Sequence, residues 1–217
     1  MGHVHVLPDD LVQRYNHWKT NTLADQKDQF QDLADHGQTP RAIVISCCDS
    51  RVNAPSIFEA GHGDFFVHRN IANFVPAYTL DKGRTNCTPA ALEYAVTVLK
   101  VSEIIVLGHS QCGGVRGCHD MCAGHAPALE APESFVGRWI DHIRPAYEKV
   151  KDIPDDATRI DRMEREAVIT SLENLMTYPF IQSAVATGQL NMHGLWIDIS
   201  NGALEQFDSE TGWFRSV

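Results

Sequence analysis

No uninterrupted apolar run in this 217-residue chain approaches the ~20 residues that a membrane-spanning helix needs. Positive charge is also scarce. Lys and Arg number 18 against 28 Asp and Glu, which leaves a formal net charge of −10. That balance argues against nucleic acid or an anionic membrane surface as the main partner. Residues 1–6 lack the basic, apolar, small-residue order of a secretory leader. Val6 stands where the myristoylation pattern needs Ser or Thr. The expectation is a cytoplasmic protein with no membrane or nucleic-acid partner. Internal repeats and low-complexity segments are missing too. Charged residues are only 21% against 43% hydrophobic, so the chain is no disordered polyelectrolyte. Its length fits one domain with extensions.

What the chain does have is six cysteines, at 47, 48, 87, 112, 118 and 122. A chain of this size buries a full core and needs no disulfide staples. In a reducing compartment, cysteines near histidines point to metal binding or catalysis.

Residues 9–36 read as a polar helical arm, with Leu11, Val12, Tyr15 and Trp18 at helical spacing and a second stretch over 26–34. Gly37-Gln38-Thr39-Pro40 ends it. The run 42–46 is β-branched and continuous, as in a strand buried on both faces. Residues 65–67 are a second short strand, 89–100 a helix with a broad apolar face, and 103–108 a third strand ending in Gly108. Strand, helix, strand in that order is the pattern of a parallel crossover. Residues 115–151 read as helices with loops, 127–132 as a connection, and 162–176 and 179–188 as helices. The segment 195–207 carries Asn201-Gly202 between two apolar runs, a hairpin signal. The fold class is therefore α/β: a single domain with a mostly parallel central sheet flanked by helices, plus an N-terminal helical arm (1–37) and a C-terminal β-hairpin.

Two clusters sit directly after predicted strands: Cys47-Cys48-Asp49-Ser50-Arg51 and His109-Ser110-Gln111-Cys112-Gly113-Gly114. In open α/β sheets, sites form beyond the carboxyl ends of the strands. His109, Cys112 and one thiolate from the first tip supply two sulfurs and one nitrogen. Zinc accepts that set tetrahedrally and keeps a fourth position open, which marks a catalytic rather than a structural site. Cys47 and Cys48 point opposite ways on a strand, so one of them faces the metal; spacing alone does not say which. A carboxylate at Asp49 suits either metal ligation or proton acceptance, and Arg51 suits a bidentate grip on it. Cys118, His119, Cys122 and His125 lack four-ligand zinc spacing and read as helix or loop residues. Cys87 reads as a buried apolar filler. The acidic run 152–161 reads as a solvated face.

Taken in order, Cys47-x-Asp49-Ser50-Arg51-Val52, His68-Arg69-Asn70-Ile71-Ala72-Asn73, Leu92-Glu93-Tyr94-Ala95-Val96 and Gly108-His109-Ser110-x-Cys112-Gly113-Gly114 strongly resemble a β-class carbonic anhydrase. The resemblance spans about residues 38–200. It implies reversible hydration of carbon dioxide to bicarbonate and a proton. It implies one zinc ion per chain on Cys47, His109 and Cys112, in a catalytic domain of residues 38–217. Asp49 and Arg51 become the catalytic dyad, and Gln38 a substrate hydrogen-bond donor reaching the cleft from a neighbouring chain. Phe66, Ile71 and Tyr94 match the family's apolar pocket, and Gly113 a backbone contact. Self-association as a dimer or a higher even oligomer follows from the same resemblance, because the family's cleft lies between chains. A related activity on carbon disulfide or carbonyl sulfide, and a zinc module without turnover, are the rival readings; intact Asp49, Arg51 and Gln38 argue against the second.

One bacterial subclass carries a regulatory bicarbonate site made of a Trp, the Arg of His-Arg-Asn, and a late Tyr. Here Val44 stands at the Trp position, Arg69 is kept, and Ile197 stands at the Tyr position. The chain therefore resembles the plant-type subclass, whose site is open at neutral pH. The segment 75–86 departs from both. His68 is a candidate for proton transfer or for a structural role.

Overall fold

A computed structural model describes residues 2–79 and 87–217 of the chain. The chain divides into two compact units, Met1–Gln38 and Thr39–Val217.

The first unit is made of three helices, α1 (Asp9–Thr20), α2 (Thr22–Asp25) and α3 (Lys27–His36). None of them buries a residue. The apolar side chains are too few to close a core, and a small aromatic cluster takes its place. Trp18 meets Phe30 edge-on, with ring centroids 6.0 Å apart, and Tyr15 lies 6.2 Å from Trp18. Gly37 ends α3 at a φ of 81°, in the range that favours glycine.

The second unit is built on a six-stranded sheet: β1 (Ala42–Cys47), β2 (Phe65–Asn70), β3 (Glu103–His109), β4 (Asn191–Ile197), β5 (Leu204–Asp208) and β6 (Trp213–Ser216). The spatial order is β2-β1-β3-β4-β5-β6. The first four strands are parallel and the last two antiparallel. Every residue of β1 is buried, and the alternation of side chains explains why. Ile43 and Ile45 join Ile104, Val106 and Val168 on one face, while Val44 packs with Leu107, Leu195 and Ile197 on the other.

The helices of this unit are α4 (Ala54–Ile57), α5 (Cys87–Glu93), α6 (Gly113–Cys122), α7 (Phe135–Ile140), α8 (Arg144–Val150), α9 (Asp156–Leu175) and α10 (Pro179–Ala186). Residues expected as one helix over 89–100 are instead α5 running into a π-helical turn at Tyr94–Val98. The turn falls on Val96-Thr97-Val98, a β-branched run that crowds a regular helix, and Thr97 Oγ1 donates back to the Glu93 carbonyl at 2.6 Å. Helix α9 starts at Asp156 rather than Arg162. The Asp155 side chain accepts from the Thr158 backbone N–H at 2.7 Å and caps it. Acids read as a solvated face are therefore partly structural: Asp156 pairs with Arg159 and Asp161 with Arg165. Strand β6 was not expected; its signal is Thr211-Gly212, with Gly212 at a φ of 70°, just before Trp213-Phe214. Cys87 is exposed, not a core filler, because α5 begins at it. Of the segment 75–86, residues 80–86 lie outside the described residues. No helix among the described residues is long and apolar enough to cross a membrane.

Candidate metal centre

The parallel register places both cysteine-bearing tips at one end of the sheet. Ser46 pairs with Leu107, so β1 finishes at Cys47 while β3 continues through Gly108 to His109. The chain then turns at Gln111, whose φ of 57° is left-handed for a non-glycine residue, and Cys112 stands immediately before α6. The ligand atoms of Cys47, His109 and Cys112 all lie within 4.8 Å of one another, and all three residues are buried. Among the described residues this is the one group of three or more His, Cys, Asp or Glu side chains placed to hold a metal ion. Cys48, the neighbour that spacing left open, is exposed. Gly108 has no room for a side chain: a Cβ there would meet Val168 Cγ2 at 2.6 Å. Glycine thus lets α9 pack directly beneath His109.

The donor set suits zinc. His109 Nδ1 donates to the Ser110 carbonyl oxygen at 2.8 Å, which leaves the lone pair on Nε2. That atom is buried and has no hydrogen-bond partner. A buried ring nitrogen without a partner is costly in an empty protein interior and expected of a metal ligand. A hydrogen bond from the Cys112 thiol pulls Cys47 down, and the same contact, with burial, pushes Cys112 well up. The pairing thus favours the thiolate on Cys47, the form a soft cation needs. A tetrahedral zinc with two sulfurs and one nitrogen spaces its ligands roughly 3.5–3.8 Å apart, so this cluster is within a small adjustment of that arrangement.

Beside the cluster, Asp49 is gripped at both oxygens. Oδ1 accepts from Arg51 Nε and from the Arg51 backbone N–H, each at 2.9 Å, and Oδ2 accepts from Arg51 Nη2 at 2.7 Å. The Arg51 guanidinium, then its backbone N–H, hold the Asp49 carboxyl well below the usual carboxylate range. The same Arg51 Nη2 donates to the Gln111 carbonyl oxygen at 3.2 Å, so the first tip is tied to the second. Arg69 anchors the first tip from behind, donating to the carbonyl oxygens of Cys47, Asp49 and Val52 at 2.9, 2.7 and 2.8 Å.

The remaining residues singled out in the sequence lie in smaller groups. Phe66 and Tyr94 pack together with ring centroids 5.8 Å apart. Ile71 and Tyr94 are exposed, and Gly113 opens α6. Gly114 lets α6 approach the 3-10 turn Ile71–Asn73, since a Cβ there would meet Ile71 Cγ2 at 2.7 Å. A cleft of about 520 Å³ opens beside Cys112, lined by Ser110, Gln111, Arg116, Glu164 and Trp196 among others. Phe66, Ile71 and Tyr94 do not line it. Gln38 is exposed and belongs to the first unit. His68 is partly buried and bonds Thr88 Oγ1 at 2.9 Å. In the other Cys/His group, His119 is held by Asp120 at 2.9 Å and Arg159 at 3.1 Å, while the Cys118 and Cys122 sulfurs lie 3.9 Å apart.

One residue at the centre escaped sequence reasoning. Glu164 of α9 is buried, and its Oε1 accepts the Cys112 backbone N–H at 2.9 Å. Burial pushes its carboxyl up to about 7 against the opposing pull of that N–H. A signal was available: Glu164 sits four residues from Ile160 and four from Val168, on the buried face of the helix.

The carbonic anhydrase family model matches residues 42–204. The chain is 36% identical to "Beta carbonic anhydrase 3" of Arabidopsis thaliana over 206 residues, covering 92% of this chain and 78% of that protein. It is 32% identical to a "Carbonic anhydrase" of Pseudomonas aeruginosa over 211 residues, covering 96% and 91%. Among solved structures, it is similar to the β-carbonic anhydrase CcaA, with a TM-score of 0.88, 31% identity and coverage of 96% and 98%. It is also similar to the tetrameric β-carbonic anhydrases of Sordaria macrospora, with a TM-score of 0.73, 29% identity and coverage of 91% and 95%.

Proposed function

Because the chain belongs to the β-class carbonic anhydrase family, whose members hydrate carbon dioxide reversibly to bicarbonate and a proton, we propose that Cys47, His109 and Cys112 hold one zinc ion per chain and that Asp49 and Arg51 act beside it. The observation that carries this reading is the buried His109 Nε2, turned away from its Ser110 contact and grouped with two buried sulfurs within 4.8 Å. When bound, zinc supplies the Lewis acidity that makes water nucleophilic near neutral pH.

The chain's own residues then do the following. His109 presents Nε2 because Ser110 holds the proton on Nδ1. Arg51 holds Asp49 in one orientation and keeps it ionised. Asp49 accepts a hydrogen bond from the attacking water and aims its lone pair at the carbon. Phe66, Ile71 and Tyr94 are proposed to give an apolar wall, which suits a substrate with no net dipole, and Gly113 a backbone contact. Gln38, supplied by a neighbouring chain, is proposed to support the developing bicarbonate oxygens. That role requires a dimer or a higher even oligomer. The division into an arm of 1–37 and a catalytic domain of 38–217 belongs to the same proposal. The two-oxygen grip of Arg51 on Asp49, with Val44 and Ile197 where the regulated subclass carries Trp and Tyr, supports a plant-type site that stays open.

Metal titration tests the ligand set. The wild type is expected to take up one zinc per chain, and Cys47→Ala, His109→Ala and Cys112→Ala each to lose it. Full zinc uptake by any folded one of these variants contradicts the assignment.

A further inference from the structure

The peptide group joining Gln111 to Cys112 is held at both ends by side chains. Its carbonyl oxygen accepts from Arg51 Nη2 at 3.2 Å, and its N–H donates to Glu164 Oε1 at 2.9 Å. A donor meets the negative end of the peptide dipole and an acceptor oxygen meets the positive end, so both contacts favour one orientation of the plane. That orientation needs holding. Gln111 sits at a φ of 57°, where a side chain is disfavoured by about 1 kcal/mol. The turn lies beyond the last strand pair of β3; Ser110 is tied to β4 by its N–H to the Ile197 carbonyl oxygen at 2.9 Å, and the Gln111–Cys112 peptide itself is held by Arg51 and Glu164.

Burying a carboxylate is expensive unless its hydrogen bonds repay the loss of water. Glu164 is only 3% exposed, on a helix whose neighbouring positions carry Met163, Ala167 and Val168 in the core. An apolar side chain there would pack at less cost, so the carboxylate is explained by what it contacts. One of its contacts is the backbone N–H of a proposed metal ligand, at 2.9 Å, and Trp196 is another neighbour.

We propose that Glu164 is a positioning residue: by clamping the Gln111–Cys112 peptide against Arg51, it aims the Cys112 sulfur at the metal. The inference rests on the zinc site proposed above. It also makes the Asp49–Arg51 pair and the metal sulfur parts of one unit. Arg51 Nη2 donates both to Asp49 Oδ2 and to the carbonyl oxygen of that peptide. A shift of that peptide is therefore felt at both.

Two variants separate positioning from charge. Glu164→Gln keeps the length and an acceptor oxygen but removes the charge. Glu164→Asp keeps the charge but is one methylene too short to reach the N–H. Cobalt(II) and zinc affinities are read by chelator competition, with the sulfur-to-cobalt charge-transfer absorption as the signature of ligation. The expected result is metal affinity within about 3-fold of wild type for Gln and about 10–100-fold weaker for Asp, with an altered cobalt spectrum in Asp alone. The reverse order, equal loss in both, or loss in neither overturns the proposal. Melting curves show whether each variant is folded. Should Asp not fold, exchange of the Cys112 amide hydrogen in the wild type decides: protection is expected, and exchange at the rate of a free amide overturns the clamp. A wild type that binds cobalt without the charge-transfer band instead refutes the metal site itself, so the two failures are distinguishable.

Discussion

Arg69 donates through Nε to the backbone carbonyl of Cys47 at 2.9 Å, so a side chain from edge strand β2 fixes the end of β1 where the first metal-site cysteine stands. Two further bonds, to Asp49 and Val52, complete a bracket around the whole tip. Nε and Nη2 of Arg69 are thereby engaged with the backbone.

The bracket makes Arg69→Ala a structural variant first. Charged hydrogen bonds of this kind are worth about 1.5–3 kcal/mol each when buried and less when exposed. With Arg69 partly open to solvent, a combined loss of about 1–3 kcal/mol is expected, read as a lower urea midpoint. A midpoint equal to wild type would mean that the tip holds itself.

The grip of Arg51 on Asp49 leads to a kinetic expectation. Asp49→Ala removes the group that orients the nucleophile, and kcat is expected to fall about 10²-fold or more with zinc still bound. Arg51→Lys cannot reproduce the two-oxygen contact, because an ammonium is a point donor. It is expected to lower kcat by about 10-fold or more. Steady-state hydration kinetics at equal zinc content check both. A fully active Arg51→Lys enzyme would show that fork geometry is irrelevant.

Close packing beneath His109 carries its own consequence. A methyl group at position 108 would lie 2.6 Å from Val168 Cγ2. Gly108→Ala is expected to cost about 1–3 kcal/mol in stability and to weaken zinc retention, as His109 is pushed outward. Thermal melts and chelator competition report the two effects. A variant with unchanged melting and zinc affinity would show that α9 yields freely.

Two histidines outside the proposed metal site, His68 and His142, contribute to the pH dependence of stability in the same direction. Burial lowers the pKa of His68 below its usual 6.5. Between the folded value and 6.5 the unfolded chain binds the proton more readily, so this contribution is fully present above pH 6.5 and is lost as pH falls through the folded value. His68→Gln, which keeps a partner for Thr88 but does not titrate, is expected to flatten the acid side of the stability curve. Urea midpoints of both proteins across that range test it; parallel curves would contradict it.

Much of this was legible in the chain. The buried strands at 42–46 and 103–108 announced themselves by continuous β-branched runs, and their ends located the metal-site residues. What spacing left open, and only the resemblance assigned to Cys47, was which of Cys47 and Cys48 faces inward, since alternation gives opposite directions but no absolute phase. Register supplies it: Cys47 is the last paired residue of β1 and is buried, while Cys48 is exposed. The break of the helix at Tyr94–Val98 was hidden because an apolar face looks alike in α and π turns. The start of α9 and strand β6 were missed for weaker reasons, since a capping Asp and a Thr-Gly turn were both visible. Glu164 was hardest to see. Its partner is a backbone N–H 52 positions earlier in the chain, and no side-chain spacing encodes such a contact.

Hydration of carbon dioxide by this chain is proposed to run through a zinc site on Cys47, His109 and Cys112 with Asp49 beside it. Stopped-flow hydration by the zinc-loaded protein, wild type against Asp49→Ala, from pH ~6.5 to ~9, tests it most directly. Rapid wild-type turnover, retained toward the acidic end, and its loss in the variant at equal zinc content are expected. Absence of turnover at every pH with zinc bound, or equal turnover in Asp49→Ala, would contradict it.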